Sequence, residues 1–264
     1  RRYLAACYWL YDARLMAQMA AALGRAGDAA WFRGSADRAL AHIRGKFIEA
    51  DGLLLKPMRH LQTACVFALK MGLVAGNAKA QTLDILVKSI ADHDGCLQTG
   101  FLGTGFILEA LTSAGRADVA YSLLLNHNHP SWLYSVDQGA TTIWERWNSY
   151  TKKDGFGPVS MNSFNHYAYG AVLAWIYKTV AGIAATTEDP GFRTIVMAPK
   201  PDQRLGFVEA EYRSAAGLIR SAWRYEGKKW IWDFTVPLGA AARVTLPGET
   251  ETKTYPAGTY HIER

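Results

Sequence analysis

The stretch Leu4-Ala5-Ala6-Cys7-Tyr8-Trp9-Leu10-Tyr11 opens a segment, about Arg2–Leu23, that is apolar almost all round. The next segment, about Asp28–Phe47, carries one apolar stripe of Phe32, Ala36, Leu40, Ile43 and Phe47. Arg33, Asp37, Arg38, Arg44 and Lys46 supply much of its polar surface. A helix hydrophobic on every side must be enclosed, whereas a one-stripe helix faces solvent. The pair then recurs. Thr63–Leu73 is apolar (Val66, Phe67, Leu69, Met71), and Ala78–Asp92 sets Leu83, Leu86, Val87 and Ile90 against Lys79, Asp84 and Lys88. Thr104–Thr112 and Ala117–Asn126 repeat the pattern, and an apolar helix over about Phe164–Ala184 closes the series. The breaks Gly24–Gly27, Gly72–Asn77 and Ser113–Arg116 are short enough for antiparallel hairpins. Strict alternation predicts two concentric helical layers, a mainly α, incomplete (α/α)6 toroid. Seven helices make three and a half hairpins, so a closed ring needs further helices upstream.

After Pro190-Gly191 the period changes to two. Trp230, Trp232, Phe234 and Val236 fall on one face, with Ile231, Asp233 and Thr235 on the other. Ile219, Ser221, Trp223 and Tyr225 precede them across a hairpin-like turn, Glu226-Gly227-Lys228, and Ala242, Val244 and Leu246 continue the alternation. The expected organisation is a partial helical barrel over 1–189 and a small antiparallel β-sandwich domain over 190–264.

Fifty per cent hydrophobic and 12% aromatic residues in 264 are ample for one large core and a smaller companion. The net charge of +6 is spread out, with no Lys/Arg run longer than two, so a nucleic-acid partner is not expected. Neither a membrane span nor a signal peptide is visible. Cys7, Cys65 and Cys96 lack metal-ligand spacing; Cys7 and Cys65 read as small buried hydrophobes, and free-thiol usage leans toward a reducing, cytoplasmic setting. Arg1-Arg2-Tyr3-Leu4 runs straight into a helix without Met or cap, so an upstream portion is expected to be missing.

Two aromatic-flanked polar clusters carry the chemistry: Thr141-Thr142-Ile143-Trp144-Glu145-Arg146-Trp147 and Met161-Asn162-Ser163-Phe164-Asn165-His166-Tyr167. Indole faces stack on the C–H faces of sugars, and a carboxylate among them can handle a proton. If 141–147 is extended, Ile143, Glu145 and Trp147 project to one side and Trp144 and Arg146 to the other. Glu145 is then either a general base or half of a salt bridge with Arg146 or another arginine. Asn162, Ser163 and Asn165 are N-cap residue types at a helix mouth, where with His166 they could bind sugar hydroxyls. The loop Gln98-Thr99-Gly100-Phe101 feeds an inner helix. Trp132 either lines the same funnel or packs under a loop. His127 and His129 lack a third metal ligand and read as a solvated turn; Asp92 and Asp94 read as turn residues.

At these residues the chain resembles the bacterial α-L-rhamnosidases of glycoside hydrolase family 78. The similar stretches are Leu97–Thr104, Pro130–Tyr134, Gly139–Trp147, Ser160–Tyr167, Ile195–Pro201, Ala210–Ser214 and Gly217–Ser221. The resemblance implies the (α/α)6 catalytic domain, a C-terminal β-sandwich and inverting hydrolysis of terminal α-L-rhamnose from glycosides or polysaccharides. It makes Glu145 the general base and His166 a rhamnose contact, with Trp132 and Trp147 shaping the pocket. Asn165, Phe101 and Thr99 complete the expected substrate contacts. No metal or cofactor is implied, and a homo-oligomer is compatible with exposed apolar surface. The family's general acid belongs to an earlier acidic stretch that nothing here matches. An inverting pair stands roughly 6.5–9.5 Å apart to admit a water, so this chain alone is expected to be inactive or nearly so. A toroidal polysaccharide lyase and a non-catalytic carbohydrate-binding protein are the alternatives.

Overall fold

The computed structural model describes residues 1–264, which form two compact units, Arg1–Tyr169 and Gly170–Arg264. The first is built of helix hairpins: α1 (Arg2–Ala22) with α2 (Ala26–Phe47), α3 (Gln62–Lys70) with α4 (Gly76–Ala91), and α5 (Phe101–Ser113) with α6 (Ala117–Leu124). The inner helix α3 touches both α1 and α5, which makes an inner row backed by the outer helices. Small side chains set the spacing of the first pair. Ala6, Ala13, Ala17 and Ala20 of α1 and Ala29, Ala36 and Ala39 of α2 are all buried. On α3 the run Ala64–Ala68 is buried throughout, as an inner helix requires.

The apolar helices share one ending. After α1 the Arg25 N–H bonds the Ala20 carbonyl (2.8 Å) across Gly24 at φ +69°, and after α5 the Arg116 N–H bonds the Leu111 carbonyl (2.9 Å) across Gly115 at φ +85°. This closure satisfies orphan carbonyls and needs a left-handed residue, which glycine supplies without strain. One expectation fails on α1. Trp9 (42%), Met16 (41%) and Met19 (55%) are exposed, although Trp9 Nε1 donates to Ser35 Oγ of α2 at 3.0 Å.

The remainder of the first unit is loops around a short helix, α7 (Trp132–Asp137), with a two-stranded ribbon of β1 (Tyr150–Thr151) and β2 (Gly155–Phe156).

The helix expected over 164–184 is not continuous. A 3-10 turn at Ala168–Ala171 leads into α8 (Val172–Trp175) and a π-helical turn at Ile176–Val180, and the chain then becomes strand β3 (Ile183–Ala185). Gly182 forces the exit. It sits at φ +75°, and a Cβ there would lie 2.3 Å from the Pro199 nitrogen. The carbonyls this break frees are caught within the second unit. Trp223 Nε1 donates to Val180 O (2.7 Å), Ser221 Oγ to Ala181 O (2.6 Å) and the Lys200 N–H to Thr179 O (2.9 Å).

Two four-stranded sheets complete the second unit. One runs β10 (Gly258–Glu263), β7 (Lys229–Val236), β6 (Gly217–Glu226), β5 (Phe207–Ser214), antiparallel throughout; the other runs β3, β4 (Thr194–Met197), β8 (Ala241–Thr245), β9 (Thr252–Tyr255). In the second sheet β4 and β8 pair parallel. Phe234 of β7 meets Tyr255 of β9 edge-on at 5.5 Å. The period-two face emerges as read, with Trp230, Trp232, Phe234 and Val236 buried and the β6–β7 hairpin turning between Glu226 and Lys229. No helix is long and apolar enough to cross a membrane.

Candidate active site

Four loop segments of the first unit converge on a cleft of about 360 Å³, lined by residues 97–101, 129–130 and 145–148 with Met161 and Tyr169. Each segment is pinned by a specific bond. Gln62, buried at the start of α3, donates Nε2 to Cys96 O (3.2 Å) and accepts the Gln98 N–H on Oε1 (2.8 Å). The Leu97 N–H reaches Pro130 O (3.3 Å), which brings the second loop alongside. Ser131 then starts α7, its Oγ accepting the Tyr134 N–H at 3.1 Å.

The other two segments hold each other. The Glu145 N–H donates to Ser163 O (2.9 Å) and the His166 N–H to Ile143 O (2.8 Å), while Thr142 Oγ1 donates to Phe164 O. Asn162 does not cap a helix as its type suggested. Its Nδ2 donates to Ser149 O (3.0 Å) and Gly157 O (3.3 Å), and its Oδ1 is buried without a donor.

This pairing fixes the carboxylate. Glu145 Oε2 accepts the Ser163 N–H at 2.8 Å, and no Lys, Arg or His forms an ion pair with Glu145. Arg146 lines the same cleft instead of projecting to the opposite side. The extended pattern breaks there because the chain turns: the Ser149 N–H bonds Arg146 O and the Arg146 N–H bonds Ser149 Oγ, both at 3.1 Å. Trp147 stacks on Tyr169 at 3.7 Å and 18°, and Phe101 lies 5.2 Å from Tyr169, so three rings wall the cleft. Burial pushes the Tyr169 phenol above its ordinary range while the Arg146 charge pulls the other way. His129 is pushed below the usual histidine value, by desolvation first and by Arg146 second. A carboxylate with one oxygen held and no ion-pair partner, beside stacked rings, can take a proton from a water near a sugar.

The family model for the bacterial alpha-L-rhamnosidase six-hairpin glycosidase domain matches residues 1–180, and that for the bacterial alpha-L-rhamnosidase C-terminal domain matches 182–260. The chain belongs to the bacterial α-L-rhamnosidases. An α-L-rhamnosidase of Formosa agariphila is 35% identical over 240 residues, which is 91% of this chain and 26% of that protein. One from Streptomyces avermitilis is 37% identical over 246 residues, 93% of this chain and 23% of that protein. The crystal structure of the Streptomyces avermitilis enzyme complexed with L-rhamnose superposes with a TM-score of 0.89 at 33% identity, over 99% of this chain and 26% of that one. The α-L-rhamnosidase of Aspergillus terreus gives 0.90 at 26% identity, over 97% of this chain and 30% of that one. This rhamnosidase chain thus spans about a quarter of the length of the curated relatives it matches.

Within the rhamnosidase fold, Glu145, Trp147, Phe101 and Thr99 lie together on the cleft. Thr99 is buried there, its Oγ1 shared with Thr104 Oγ1 at 2.8 Å. His166 stacks on Phe101 at 5.0 Å, and its Nδ1 accepts the Ala168 N–H at 3.3 Å, so the neutral ring carries its proton on Nε2. Asn165 is exposed and donates its backbone N–H to Ser163 Oγ. Trp132 stands behind the wall. It is 8% exposed, edge-on to Trp147, with Nε1 donating to Tyr169 O at 2.9 Å, and it lines a separate pocket of about 300 Å³. His127 pairs with Asp137 at 2.7 Å, whereas His129 reaches the cleft. Asp94 takes the left-handed turn position after α4 at φ 56°. Sequence reading passed over Tyr169, whose only signal was its place in the run of rings Phe164, His166, Tyr167, Tyr169.

Proposed function

We propose that this chain carries the water-activating half of an inverting α-L-rhamnosidase, with Glu145 as general base. The supporting observation is the Glu145 carboxylate on an aromatic-walled cleft, free of any ion pair and held through Oε2 by the Ser163 N–H. That hydrogen bond orients the carboxylate and leaves Oε1 for a water. The water oxygen bonds to the anomeric carbon of rhamnose while Glu145 takes its proton, and the bond to the leaving oxygen breaks on the opposite face. That oxygen takes a proton from a general acid.

Glu145 is the one carboxylate lining this cleft, so the acid comes from elsewhere in the parent enzyme. General acid assistance is typically worth about 10²–10⁴-fold, so the 264 residues alone turn over slowly or not at all. Trp147, Phe101 and Tyr169 offer ring faces to the sugar, and His166 offers Nε2–H to a hydroxyl.

Glu145→Gln in the complete enzyme keeps shape and removes basicity. Turnover of an aryl α-L-rhamnoside should drop about 10²–10⁴-fold with binding of rhamnose retained. Unchanged turnover rejects the assignment.

A further inference from the structure

The outer face of the sheet β10-β7-β6-β5 carries a bonded cluster centred on His261 of β10. Period-two alternation puts Thr259, His261 and Glu263 of β10 beside Thr235, Asp233 and Ile231 of β7, on the side away from the buried Trp232 and Phe234. His261 Nδ1 stands 2.6 Å from Asp233 Oδ1 across the strands, and its Nε2 stands 3.1 Å from Glu263 Oε1. Each carboxylate turns its other oxygen to a cation that stays charged at any ordinary pH. Arg224 Nη1 of β6 donates to Asp233 Oδ2 at 3.3 Å, and Lys229 of β7 pairs with Glu263 Oε2. Arg224 Nε also donates to Glu226 Oε1 at 2.9 Å. Farther along the row, Glu209 of β5 is separated from Asp233 by Ala222, and Arg220 of β6 pairs with Glu211 of β5.

These contacts select a protonation state. A neutral imidazole has one N–H donor and one acceptor nitrogen, so it can donate to one carboxylate only and turns a lone pair toward the other. Carboxylate oxygens within bonding distance of both ring nitrogens are satisfied together only by the imidazolium. The charges agree. His261, Lys229 and Arg224 then set three positive charges against the three negative charges of Asp233, Glu263 and Glu226. Asp233 first and Glu263 second raise the proton affinity of the ring accordingly.

We propose that His261 is a proton-operated clasp on β10: protonated, it ties this strand to Asp233 of β7 and braces Glu263 against Lys229, and neutral, it lets β10 open more often. The device lies in the second unit and is independent of the hydrolytic reading. Its sign follows from linkage. The ring binds its proton more tightly in the closed strand than in the open one. The stabilisation is therefore complete below the open-strand value of about 6.5 and is lost as pH rises through the higher closed-strand value.

Two exchange measurements on the complete enzyme test this. Slow deuterium exchange at the imidazole C2 position gives the His261 midpoint. Backbone amide exchange in a peptide spanning β10, corrected for the pH dependence of intrinsic exchange, gives the opening of the strand. The midpoint should lie above about 6.5, and protection of β10 should fall about two- to fivefold through it, the scale of one surface ion pair. A peptide from β6 should show no such step. Both readings report one linkage, so the fold-change in protection should equal the ratio of the proton affinities of the closed and open strand. His261→Gln should remove the step, and Asp233→Asn should lower the midpoint and shrink it. A midpoint at or below about 6.5 overturns the proposal. So does a raised midpoint without a step in β10, or a step that persists in His261→Gln.

Discussion

Two concavities share the Trp147–Tyr169 stack as a common wall, and they are unlike on their other sides. One holds Glu145, Arg146 and His129; the other, lined by Trp132, Ser135, Val136 and residues 140–144, holds no Asp, Glu, Lys, Arg or His. The apolar side is nevertheless where the wall is mounted. From there Trp132 Nε1 holds the Tyr169 carbonyl and Ser135 Oγ holds the Trp147 carbonyl, both at 2.9 Å. The contrast teaches that aromatic residues adjacent in space divide into those that face chemistry and those that hold the first group still. Backbone bonds, not ring type, decide which is which.

Trp147→Ala tests the shared wall and should have the largest effect. A buried indole stacked at 3.7 Å is lost from both concavities at once, and stability should fall by about 3–5 kcal/mol, read from urea unfolding. A loss below about 1 kcal/mol would mean the two spaces are not divided by this ring.

Asn162→Ala acts on the polar side only. It leaves Ser149 O and Gly157 O without their side-chain donor and should cost about 1–3 kcal/mol. Because the next residue, Ser163, supplies the N–H that orients Glu145, loosening this segment should also lower kcat in the complete enzyme more than it raises KM. An unchanged kcat would confine Asn162 to the fold.

Trp132→Phe is the matching change on the apolar side. It keeps a ring and removes the donor to Tyr169 O, for about 1 kcal/mol of stability. Its KM for a rhamnoside should rise less than in Trp147→Phe. The reverse order would put Trp132 at the sugar and Trp147 behind it.

Much of this was legible in the sequence where a period existed. The hairpins α1 to α6 and the buried face of β7 follow from 3.6- and 2-residue spacing, and Glu145 stood out as a carboxylate between indoles. What periodicity cannot encode is a bond between segments distant along the chain. The ladder joining 143–145 to 163–166 turned expected cap residues into loop clamps. Similarly, Phe164–Ala184 reads as one apolar helix from its composition, yet it forms only short helical turns with Tyr167 (89%) and Leu173 (55%) exposed. Gly182, at φ +75° with no room for a Cβ beside Pro199, explains where it stops. Arg146 was placed on the wrong side by assuming an extended strand through a position where Ser149 makes a turn.

The smallest effect concerns His129 and belongs to the polar side alone. Desolvation and then Arg146 hold its folded pKa below the ordinary 6.5, so the unfolded chain binds a proton here before the folded chain does. Its contribution to stability is therefore present above about pH 6.5 and is lost as pH falls from there toward the lower folded value. His261 runs the other way, since Asp233 and Glu263 raise its pKa, so the wild-type slope is a mixture and a difference is needed. His129→Gln should lose less stability than the wild type between about pH 7 and about pH 5, by urea midpoints. Trp132→Phe, which touches no group titrating in that interval, should keep the wild-type slope. Parallel curves for wild type and His129→Gln would show that neither desolvation nor Arg146 lowers the proton affinity of this ring in the folded chain.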